Sequence, residues 1–491
     1  MKTILLPFIA LACFAGQSSA EAETKSDQPN FIILFIDDMG WRDWSGNGSD
    51  FIETPNIDAL GEQGIVFDQG YVNASNCAPS RCAILSGQYP PRNHFYNVWT
   101  IHRGNKNDRL SLDDVKDGQT LYDERITFAE SLKKAGYKTA MYGKWHVEGE
   151  AEIMPAQQGF DTVLAHKAGL LKEIYKETGD PKHIYGYGKA AMEFAEESVK
   201  EGKPFLIYLA HHAVHAPIAA TPESTALYED KAPGKINSKP KYAGMMTDVD
   251  KSIGTMMEKL KTLGIDDNTV VIFLSDNGGT PSTCTQPPLR AFKGSYYEGG
   301  IRVPFIVRCP AKFAPAKSST PVMAIDIYPT MLDLAGVKDI QKHVDGQALD
   351  GTSIVPLLKG ENFPARSIFW HFPAYLSGSK AFTGGRDENY RQQPVSVIRK
   401  GDWKLHLYME EWSLDGGREK IDSNNSVELY NLAKDPGEQN NLALENKSKR
   451  DEMLDELLAW HKEANAPVPA EPATPKEKRK NKGKGKDKGG R

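Results

Sequence analysis

Five short apolar runs, separated by longer segments, constrain the fold of this chain more than any other feature. They read FIILFI from residue 31, KTAMYG from 138, FLIYL from 205, VVIFLS from 270 and VPFIV from 303. Apolar runs of this length, without alternation, are typical of strands buried on both faces of a parallel sheet. Between the third and fourth runs, apolar residues recur every three or four positions from Val249 to Leu263, as on one face of a helix. The sequence therefore predicts an α/β fold whose large, mostly parallel sheet is sandwiched by helices.

The pattern changes after about residue 365. VSVIRKGDWKLHLYM from residue 395 and VELYNL from residue 427 are typical of antiparallel strands joined by turns. The apolar stripe in KRDEMLDELLAWHKEA, from residue 449, then predicts one amphipathic helix. We therefore predict a main α/β domain at residues 28–365 and a smaller C-terminal α+β subdomain, antiparallel strands plus a helix, at residues 366–465.

The end of the chain has a different composition. From Ala466 it is rich in proline and then in lysine, so residues 466–491 are predicted to be a disordered basic tail. Such a tail could attract sulfated polysaccharides or an anionic cell surface, while a solvated end without a ligand is the simpler interpretation. The whole chain has a formal net charge of -5, which gives no reason to expect nucleic acid as a partner.

The N-terminus resembles a targeting segment. Lys2 precedes the apolar stretch ILLPFIALACFA, and Ser18 and Ala20 are small residues at the usual cleavage positions. We predict a signal peptide at residues 1–20 and export to the periplasm or the medium. Lipoprotein processing at Cys13 is the weaker interpretation, because no leucine stands three positions before it. No later stretch is long and apolar enough to predict a transmembrane segment.

Cysteine usage excludes a disulfide scaffold. Apart from Cys13 the chain holds four cysteines in 491 residues, without a CxxC pair or the spacing of a zinc site. One disulfide among Cys82, Cys284 and Cys309 would be compatible with an oxidising compartment. The sequence does not determine their pairing.

Polar residues follow the predicted strands at the point where each one ends. The groups are Asp37-Asp38, Lys144-Trp145-His146, His211 to His215, and Asp276-Asn277. In open α/β sheets the carboxyl ends of the strands meet at one edge, where sites form. Carboxylate and amide oxygens suit Ca²⁺ or Mg²⁺ better than zinc. Each group alone could be a turn or a cap, but together with nearby cations they predict a metal-assisted site for sulfate or phosphate.

The stretch NCAPSRC, residues 76–82, contains the most unusual cysteine of the chain. A disulfide, a metal ligand, a core thiol and a chemically altered nucleophile are all open from this stretch alone. Its continuation, CAPSRCAILSG from Cys77, resembles the signature of type I sulfatases, the arylsulfatase-like group of the alkaline-phosphatase superfamily. Similar segments follow in the family's order: IDDMG, TPNIDAL, GKWH, HAPI, SDNGG and FKGSYYEGGIRVP.

The resemblance implies roles for particular residues. A separate maturation enzyme would oxidise Cys77 to Cα-formylglycine, whose hydrate has one hydroxyl to attack sulfur and a second to expel sulfate. One Ca²⁺ ion would be held by Asp37, Asp38, Cys77, Asp276 and Asn277. The remaining positions imply that Arg81 and Lys144 stabilise the aldehyde hydrate, that His146 acts as the base, and that His215 and Lys293 bind sulfate and protonate the leaving alcohol.

Several positions carry no transferred role or depart from the family pattern. The family often has Arg-Gly-x-Lys-Gly before EGG, whereas this chain reads LRAFKGSYYEGG, with Ala291 and Phe292, although Lys293 keeps its place. His211 and His212 are not motif positions and could line the pocket or pack in the core. Cys82 is expected to face the core from a helix that begins near Ser80.

The substrate is expected to be a sulfated carbohydrate. Two segments should form the rim of the site, NHFYNVWTIHRGNKN from residue 93 and HFPAYLSGSKAFTGGRDENYRQQ from residue 371, because they mix aromatic residues with Arg and His. A phosphoesterase of the same superfamily is one alternative, which Thr or Ser at position 77 would favour. An inactive glycan-binding relative is the other, which a missing site residue would favour. The sequence leaves open the position of the sulfate, exo or endo action, and the oligomeric state.

Overall fold

The computed structural model describes residues 28–122, 124–149, 151–166, 179–378 and 384–472. The predicted signal peptide lies outside the described residues, as does the predicted tail beyond residue 472. Within the described residues, no helix combines the length and the apolar character needed to cross a membrane.

The strands are numbered in chain order. They are β1 (Asn30–Ile36), β2 (Ile65–Phe67), β3 (Gly70–Tyr71), β4 (His102–Arg103), β5 (Lys138–Lys144), β6 (Thr162–His166), β7 (Phe205–Ala210), β8 (Thr269–Ser275), β9 (Phe305–Arg308), β10 (Ala316–Ser318), β11 (Val322–Met323), β12 (Ser367–Phe372), β13 (Tyr375–Ser377), β14 (Tyr390–Gln392), β15 (Val395–Lys400), β16 (Trp403–Tyr408) and β17 (Val427–Asn431).

The helices lie between these strands. The α-helices are Pro55–Glu62, Cys77–Ser86, Pro90–Asn93, Phe128–Lys134, Ile184–Lys200, Pro222–Ala226, Pro240–Thr262, Glu298–Ile301, Ile327–Leu334, Ile340–His343, Val355–Leu358, Met409–Leu414 and Lys447–Glu463. Short 3-10 helices span Ser45–Asn47, Pro155–Gln158, Pro181–His183, Asp266–Asn268, Ala324–Asp326 and Gly417–Lys420.

The central sheet has the strand order β10-β2-β9-β8-β1-β7-β5-β6. Strand β1 lies in its middle and pairs in parallel with β7 on one side and with β8 on the other. Strand β5 likewise pairs in parallel with β6 and β7. The predicted large, mostly parallel sheet is confirmed.

Strand β9, the VPFIV run, was expected to be parallel, and this expectation is wrong. It runs antiparallel to both β8 and β2. A parallel neighbour needs a crossover that returns the chain across the sheet, usually through a long helix. Residues 276–304 contain only the short helix Glu298–Ile301. The chain therefore enters β9 at the edge where β8 ends.

Residues 31–36 of β1 are all apolar, because alternate side chains point to opposite faces of the sheet and both faces are buried. Phe31, Ile33 and Phe35 pack into the core on one face of the sheet. Ile32, Leu34 and Ile36 pack into a second core on the other face, which includes the helix Pro240–Thr262. Helices therefore cover both faces of the sheet, and every side chain of the strand leaves water.

A smaller antiparallel sheet, in the order β12-β15-β16-β17, forms the C-terminal part of the fold. The helix Lys447–Glu463 packs against it, with Trp460 stacked on Phe369 at 4.7 Å between ring centroids. The expected combination of antiparallel strands and one helix is confirmed.

The two predicted rim segments pair with each other. Strand β4 of the first segment runs parallel to β13 of the second, and β13 runs antiparallel to β14. The resulting sheet, in the order β14-β13-β4, joins parts of the chain that are far apart in sequence.

The structure contains no disulfide within its described residues. Cys77, Cys82, Cys284 and Cys309 are all buried, free thiols. Cys82 faces the core, as expected, but its helix begins at Cys77 rather than near Ser80.

Candidate active site

The ends of β1 and β8 bring four oxygen-bearing side chains together. Asp37 and Asp38 follow β1, while Asp276 and Asn277 follow its neighbour β8, and all four are buried. The Asp38 amide donates to Asp276 Oδ1 at 3.2 Å, and Asn277 Nδ2 donates to Asp38 Oδ1 at 2.8 Å. Parallel pairing of the two strands therefore places residues 239 positions apart in direct contact.

Two oxygens of this group have no hydrogen-bond donor. Asp37 Oδ1 and Asn277 Oδ1 are buried and accept no hydrogen bond from any residue that the structure describes. One ligand atom from each of Asp37, Cys77 and Asp276 lies within 4.8 Å of the others, and the same is true of Asp37, Asp38 and His215. Buried oxygens without donors, among three carboxylates, fit a hard divalent cation such as Ca²⁺.

The electrostatics of the carboxylates agree with a cation site. Burial raises the pKa of Asp276 well above its usual value, and the charge of Asp37 raises it further. Burial also opposes ionisation of Asp37, but nearby cations, first Lys144, hold its pKa well below the usual range. At Asp276, burial and the charge of Asp37 thus oppose ionisation more than Arg81 and Lys144 favour it.

Cys77 lies at the first position of the helix Cys77–Ser86 and is 2% exposed. Its Sγ is 3.9 Å from the Nζ atom of Lys293. Burial by itself raises the pKa of the Cys77 thiol, but Lys144 and Lys293 outweigh it and lower that pKa below the usual value. The environment therefore favours negative charge at this position.

Arg81 is one turn further along the same helix and is fully buried. Its Nε and Nη2 atoms donate to Asp276 Oδ2 at 3.0 and 2.7 Å, and Nη1 donates to the carbonyl of Lys144 at 3.0 Å. The guanidinium also lies over the ring of Phe35. Arg81 thus ties the helix that carries Cys77 to the ends of β8 and β5.

Two lysines neutralise the carboxylates at the end of β1. Lys144 Nζ donates to Asp37 Oδ2 at 2.6 Å, and Lys293 Nζ donates to Asp38 Oδ1 at 2.5 Å. Burial would lower the pKa of both amines, but the carboxylates raise both above the usual lysine value. Both ammonium groups are therefore charged beside Cys77.

The two predicted catalytic histidines differ in their environment. His146 is nearly buried, and burial, assisted by Lys144, holds its pKa well below the usual value. His215 is more open, with a side chain 38% exposed, and its Nε2 atom lies 3.6 Å from Asp38 Oδ2. His146 is therefore neutral, while His215 faces both a carboxylate and solvent.

The neighbouring histidines divide between the core and the cavity. His212 lines the site cavity, whereas His211 is fully buried behind it with neither ring nitrogen hydrogen-bonded to a described residue. Burial lowers the pKa of His211 to about 3. His211 is therefore a neutral packing residue.

Lys182, which the sequence did not single out, supports the segment that carries His215. Its buried ammonium group donates to the backbone carbonyls of His212, at 3.3 Å, and His215. Burial lowers its pKa to about 7. Lys182 lies in the short 3-10 helix Pro181–His183 and gave no sequence signal, because its partners are main-chain groups thirty or more positions away.

The site opens into a cavity of about 660 Å³. Seven of the predicted site residues line it: Asp37, Asp38, Cys77, Lys144, His146, His215 and Lys293. The other three, Arg81, Asp276 and Asn277, lie behind this surface, fully buried. The structure thus brings all ten predicted site residues to one place.

Sequence reasoning assigned no individual residue from the rim segments. The structure places Trp99 and Arg103 of the first segment, and Leu376 and Arg391 of the second, in the wall of the cavity. The mixture of aromatic and basic residues was the only signal for them. This mixture indicated the two segments, but it did not show which of their residues line the cavity.

Comparison with known proteins identifies the family. Residues 29–337 match the family model Sulfatase, and residues 292–463 match the model N-sulphoglucosamine sulphohydrolase, C-terminal. The chain is 31% identical to a sulfatase of Formosa agariphila, over 91% of this chain and 92% of that protein. It is 28% identical to N-acetylgalactosamine-6-sulfatase of Mus musculus, over 77% of this chain and 72% of that protein.

A solved structure shares the same architecture. Ps i-CgsB, in complex with k-i-k-neocarrahexaose, superposes with a TM-score of 0.70 at 26% identity, covering 94% of this chain and 98% of that one. The match therefore extends over both the central sheet and the C-terminal sheet. The chain belongs to the sulfatase family: it is a type I sulfatase of the alkaline-phosphatase superfamily and a sulfuric ester hydrolase.

Proposed function

We propose that this sulfatase removes sulfate from a sulfated carbohydrate, with Cys77 converted to Cα-formylglycine and one Ca²⁺ ion bound. The observation that carries the proposal is the position of Cys77. It lies at the floor of the cavity, beside Lys293 and within one cluster with Asp37 and Asp276. Neither a core thiol nor a disulfide explains a buried cysteine surrounded by cations and carboxylates.

Four side chains would hold the metal together with the modified Cys77: Asp37, Asp38, Asp276 and Asn277. The buried oxygens of Asp37 and Asn277 that accept no hydrogen bond from a described residue support this set. A bound Ca²⁺ ion would supply a Lewis acid for the sulfate oxygens. Arg81 would keep the set in place, because it holds Asp276 from the side away from the cavity.

The modified cysteine would supply the nucleophile, as a hydroxyl of an aldehyde hydrate. Its neighbours would prepare that position for an anion. Lys144 and Lys293 stay protonated and would donate N–H groups to the hydrate and to sulfate oxygens. The near-complete burial of Cys77 would keep bulk water from its attacking position.

The two histidines would move protons on opposite sides of the reaction. His215, partly exposed and near Asp38, would give the proton of Nε2 to the leaving alcohol. His146 is neutral because of its depressed pKa, so an imidazole nitrogen would accept the proton of the second hydroxyl as the sulfated hemiacetal collapses to the aldehyde and releases sulfate. Lys182 would keep His215 in position through the backbone carbonyl that it binds.

A carbohydrate substrate is supported by the cavity and by the relatives. Trp99 is 70% exposed although it lines the cavity, and such an exposed ring offers a face on which a sugar could stack. The mouse relative is named for a sulfated amino sugar, and the Ps i-CgsB structure contains an oligosaccharide.

Sulfate release tests this proposal. The chain would be produced together with a formylglycine-generating enzyme and incubated with sulfated glycans, an aryl sulfate and the matching phosphate ester. We expect sulfate release from at least one sulfated glycan, loss of release in Cys77→Ala, and retained release in Cys309→Ala, which removes a thiol outside the site. Faster release of phosphate than of sulfate would instead favour a phosphoesterase.

The modification has its own readout. Residues 43–81 form one tryptic peptide, because they contain no Lys or Arg before Arg81. The peptide should have the mass of the aldehyde form in active protein. An unmodified thiol in fully active protein would refute the role of formylglycine.

A further inference from the structure

A pair of arginines lies in the cavity wall formed by the small sheet β14-β13-β4. Arg103 is the last residue of β4, and Arg391 is the middle residue of β14. These two strands flank β13 on opposite sides. Both side chains line the same cavity as Cys77. Between β13 and β14 the register shifts by one residue beside Arg391, and such irregularities commonly redirect a side chain.

Neither arginine has an acidic partner among the residues that the structure describes. Arg103 makes one long side-chain hydrogen bond, from Nη1 to the amide oxygen of Asn97 at 3.4 Å. Arg391 forms no ion pair, and its buried Nε has no acceptor in the described chain. Arg386, in the same rim segment, instead pairs with Glu411 at 2.9 Å. The lack of a carboxylate is therefore a property of these two positions and not of the segment.

The position of Arg391 is set by the backbone beneath it. A Cβ atom at Gly294 would lie 2.5 Å from its Cδ atom, and one at Gly378 would lie 3.0 Å from its Cβ atom. The aliphatic part of Arg391 thus lies directly against Gly294, which follows Lys293 in the chain. This contact fixes the aliphatic part of Arg391 in the wall of the cavity that Lys293 also lines.

The two guanidinium groups form no ion pair with a carboxylate of the described residues in this half-buried wall. Burial lowers the pKa of Arg391, and the charge of Arg103 lowers it further. Burial also lowers the pKa of Arg103. Both groups remain charged at neutral pH because an arginine pKa is far above it. Two like charges without a partner in this setting favour the binding of an anion.

We propose that Arg103 and Arg391 bind a second anionic group of the substrate, a sulfate or a carboxylate, while the scissile sulfate lies over Cys77. This inference rests on the proposed function and narrows its substrate to doubly charged glycans. The planar fork of an arginine matches two oxygens of either anion. The apolar side chains of Leu376 and Val98, also in the cavity wall, would contact the sugar carbon atoms.

Calorimetry of ligand binding tests the arginine pair. The protein is the full chain with Cys77→Ala, a variant that lacks the thiol of the proposed nucleophile. Three probes share one sugar: N-acetylgalactosamine 6-sulfate, N-acetylgalactosamine 4,6-disulfate, and a disaccharide that joins a uronic acid to the 6-sulfated sugar. We expect one of the two doubly charged probes to bind about tenfold more tightly than the first. Tighter binding of the disulfate would identify sulfate as the second anion, and tighter binding of the disaccharide would identify carboxylate.

Further substitutions in the Cys77→Ala variant then test whether the binding preference depends on Arg103 and Arg391. Arg103→Gln and Arg391→Gln should each remove most of the preference, while Arg391→Lys should keep part of it because the charge remains. Arg418→Gln is the matched control, because Arg418 is exposed and pairs with Asp455 on the C-terminal helix. Equal affinity for all three probes, or a preference that survives both glutamine substitutions, would overturn the proposal.

Failure of this inference differs from failure of the proposed function. Sulfate release by the matured wild-type chain from the same probes, without any preference in binding, would reject only the second-anion subsite. A clear preference in binding, with no sulfate release from any glycan or aryl sulfate, would reject only the proposed reaction.

Discussion

At the scale of single residues, the site contains two buried lysine–carboxylate pairs whose members hold each other ionised. Lys144 is bound to Asp37, and Lys293 is bound to Asp38. Removal of one member leaves its partner buried without a counter-charge, which is costlier than the pair itself is favourable. Each of these residues therefore affects both the charge of the site and its geometry.

Asp37→Ala should abolish turnover, because it removes a ligand of the proposed metal and the partner of Lys144. We expect loss of sulfate release together with loss of bound calcium, measured by metal analysis of the purified chain. Asp114→Ala is the control, since Asp114 is exposed and outside the site. Unchanged turnover and calcium content in Asp37→Ala would refute the metal assignment.

At the scale of elements, local signals place some helix ends well. Thr127 precedes the helix Phe128–Lys134 and forms a capping box with Glu130, in which each side chain binds the backbone amide of the other residue. Gly136 follows this helix with a φ of 95°, a conformation that favours glycine. Sequence and structure agree here because the interactions are local.

Thr127→Ala should destabilise the chain without removing the site residues. It deletes the cap and also the buried hydrogen bond from Thr127 Oγ1 to the carbonyl of Gln158. We expect a loss of about 1–2 kcal/mol in the free energy of unfolding, measured by chemical denaturation. Thr255→Ala, on an exposed helix position, should not show this loss. Equal stability of both variants would contradict the role of the cap.

At the scale of the whole molecule, buried charges join the C-terminal sheet to the helix that precedes β9. Lys404 of β16 is fully buried and pairs with Glu298 and Glu438, both at 2.9 Å. Glu298 belongs to the short helix before β9, and it also accepts from the Tyr71 hydroxyl at 2.7 Å. The contact between this helix and the C-terminal sheet therefore depends on an ionised carboxylate as well as on apolar packing.

Low pH should weaken this contact, because it protonates the carboxylate of Glu298. Burial opposes ionisation of Glu298, but Lys404 and nearby arginines lower its pKa from 4.5 to about 2. A depressed carboxyl pKa stabilises the folded state above the unfolded value, and the contribution is lost as the pH falls from about 4.5 towards 2. We expect the stability of wild type, measured by denaturation across this range, to fall more steeply than that of Glu298→Gln. Glu62→Gln, at an exposed position, should follow wild type; parallel curves for all three would contradict the prediction.

Metal removal should also act on the whole molecule. Without a metal ion, burial and the charge of Asp37 together oppose ionisation of Asp276. A ligand that binds only the folded state adds about 2.7 kcal/mol at a hundredfold excess over its Kd. We expect EGTA to lower the melting temperature by calorimetry and added Ca²⁺ to restore it. Asp37→Ala should show no such response, and an EGTA-insensitive wild type would refute a structural metal.

Much of the fold could be predicted because its signals are local. Apolar runs without alternation predicted the buried strands, and both faces of β1 are indeed packed in cores. The chemistry at the ends of these strands was also visible, since residue type alone separates oxygen ligands from cations. Their meeting followed from one rule of α/β sheets, that parallel strands end at the same edge.

The sequence by itself determined the α/β class, the residues at the strand ends and the signature around Cys77. Only the tertiary structure decided the direction of β9, the pairing of the two rim segments and the approach of Arg103 to Arg391. The reason is physical: these features depend on contacts between residues far apart in the chain. Their energies come from packing and hydrogen bonding that exist only after the chain has folded.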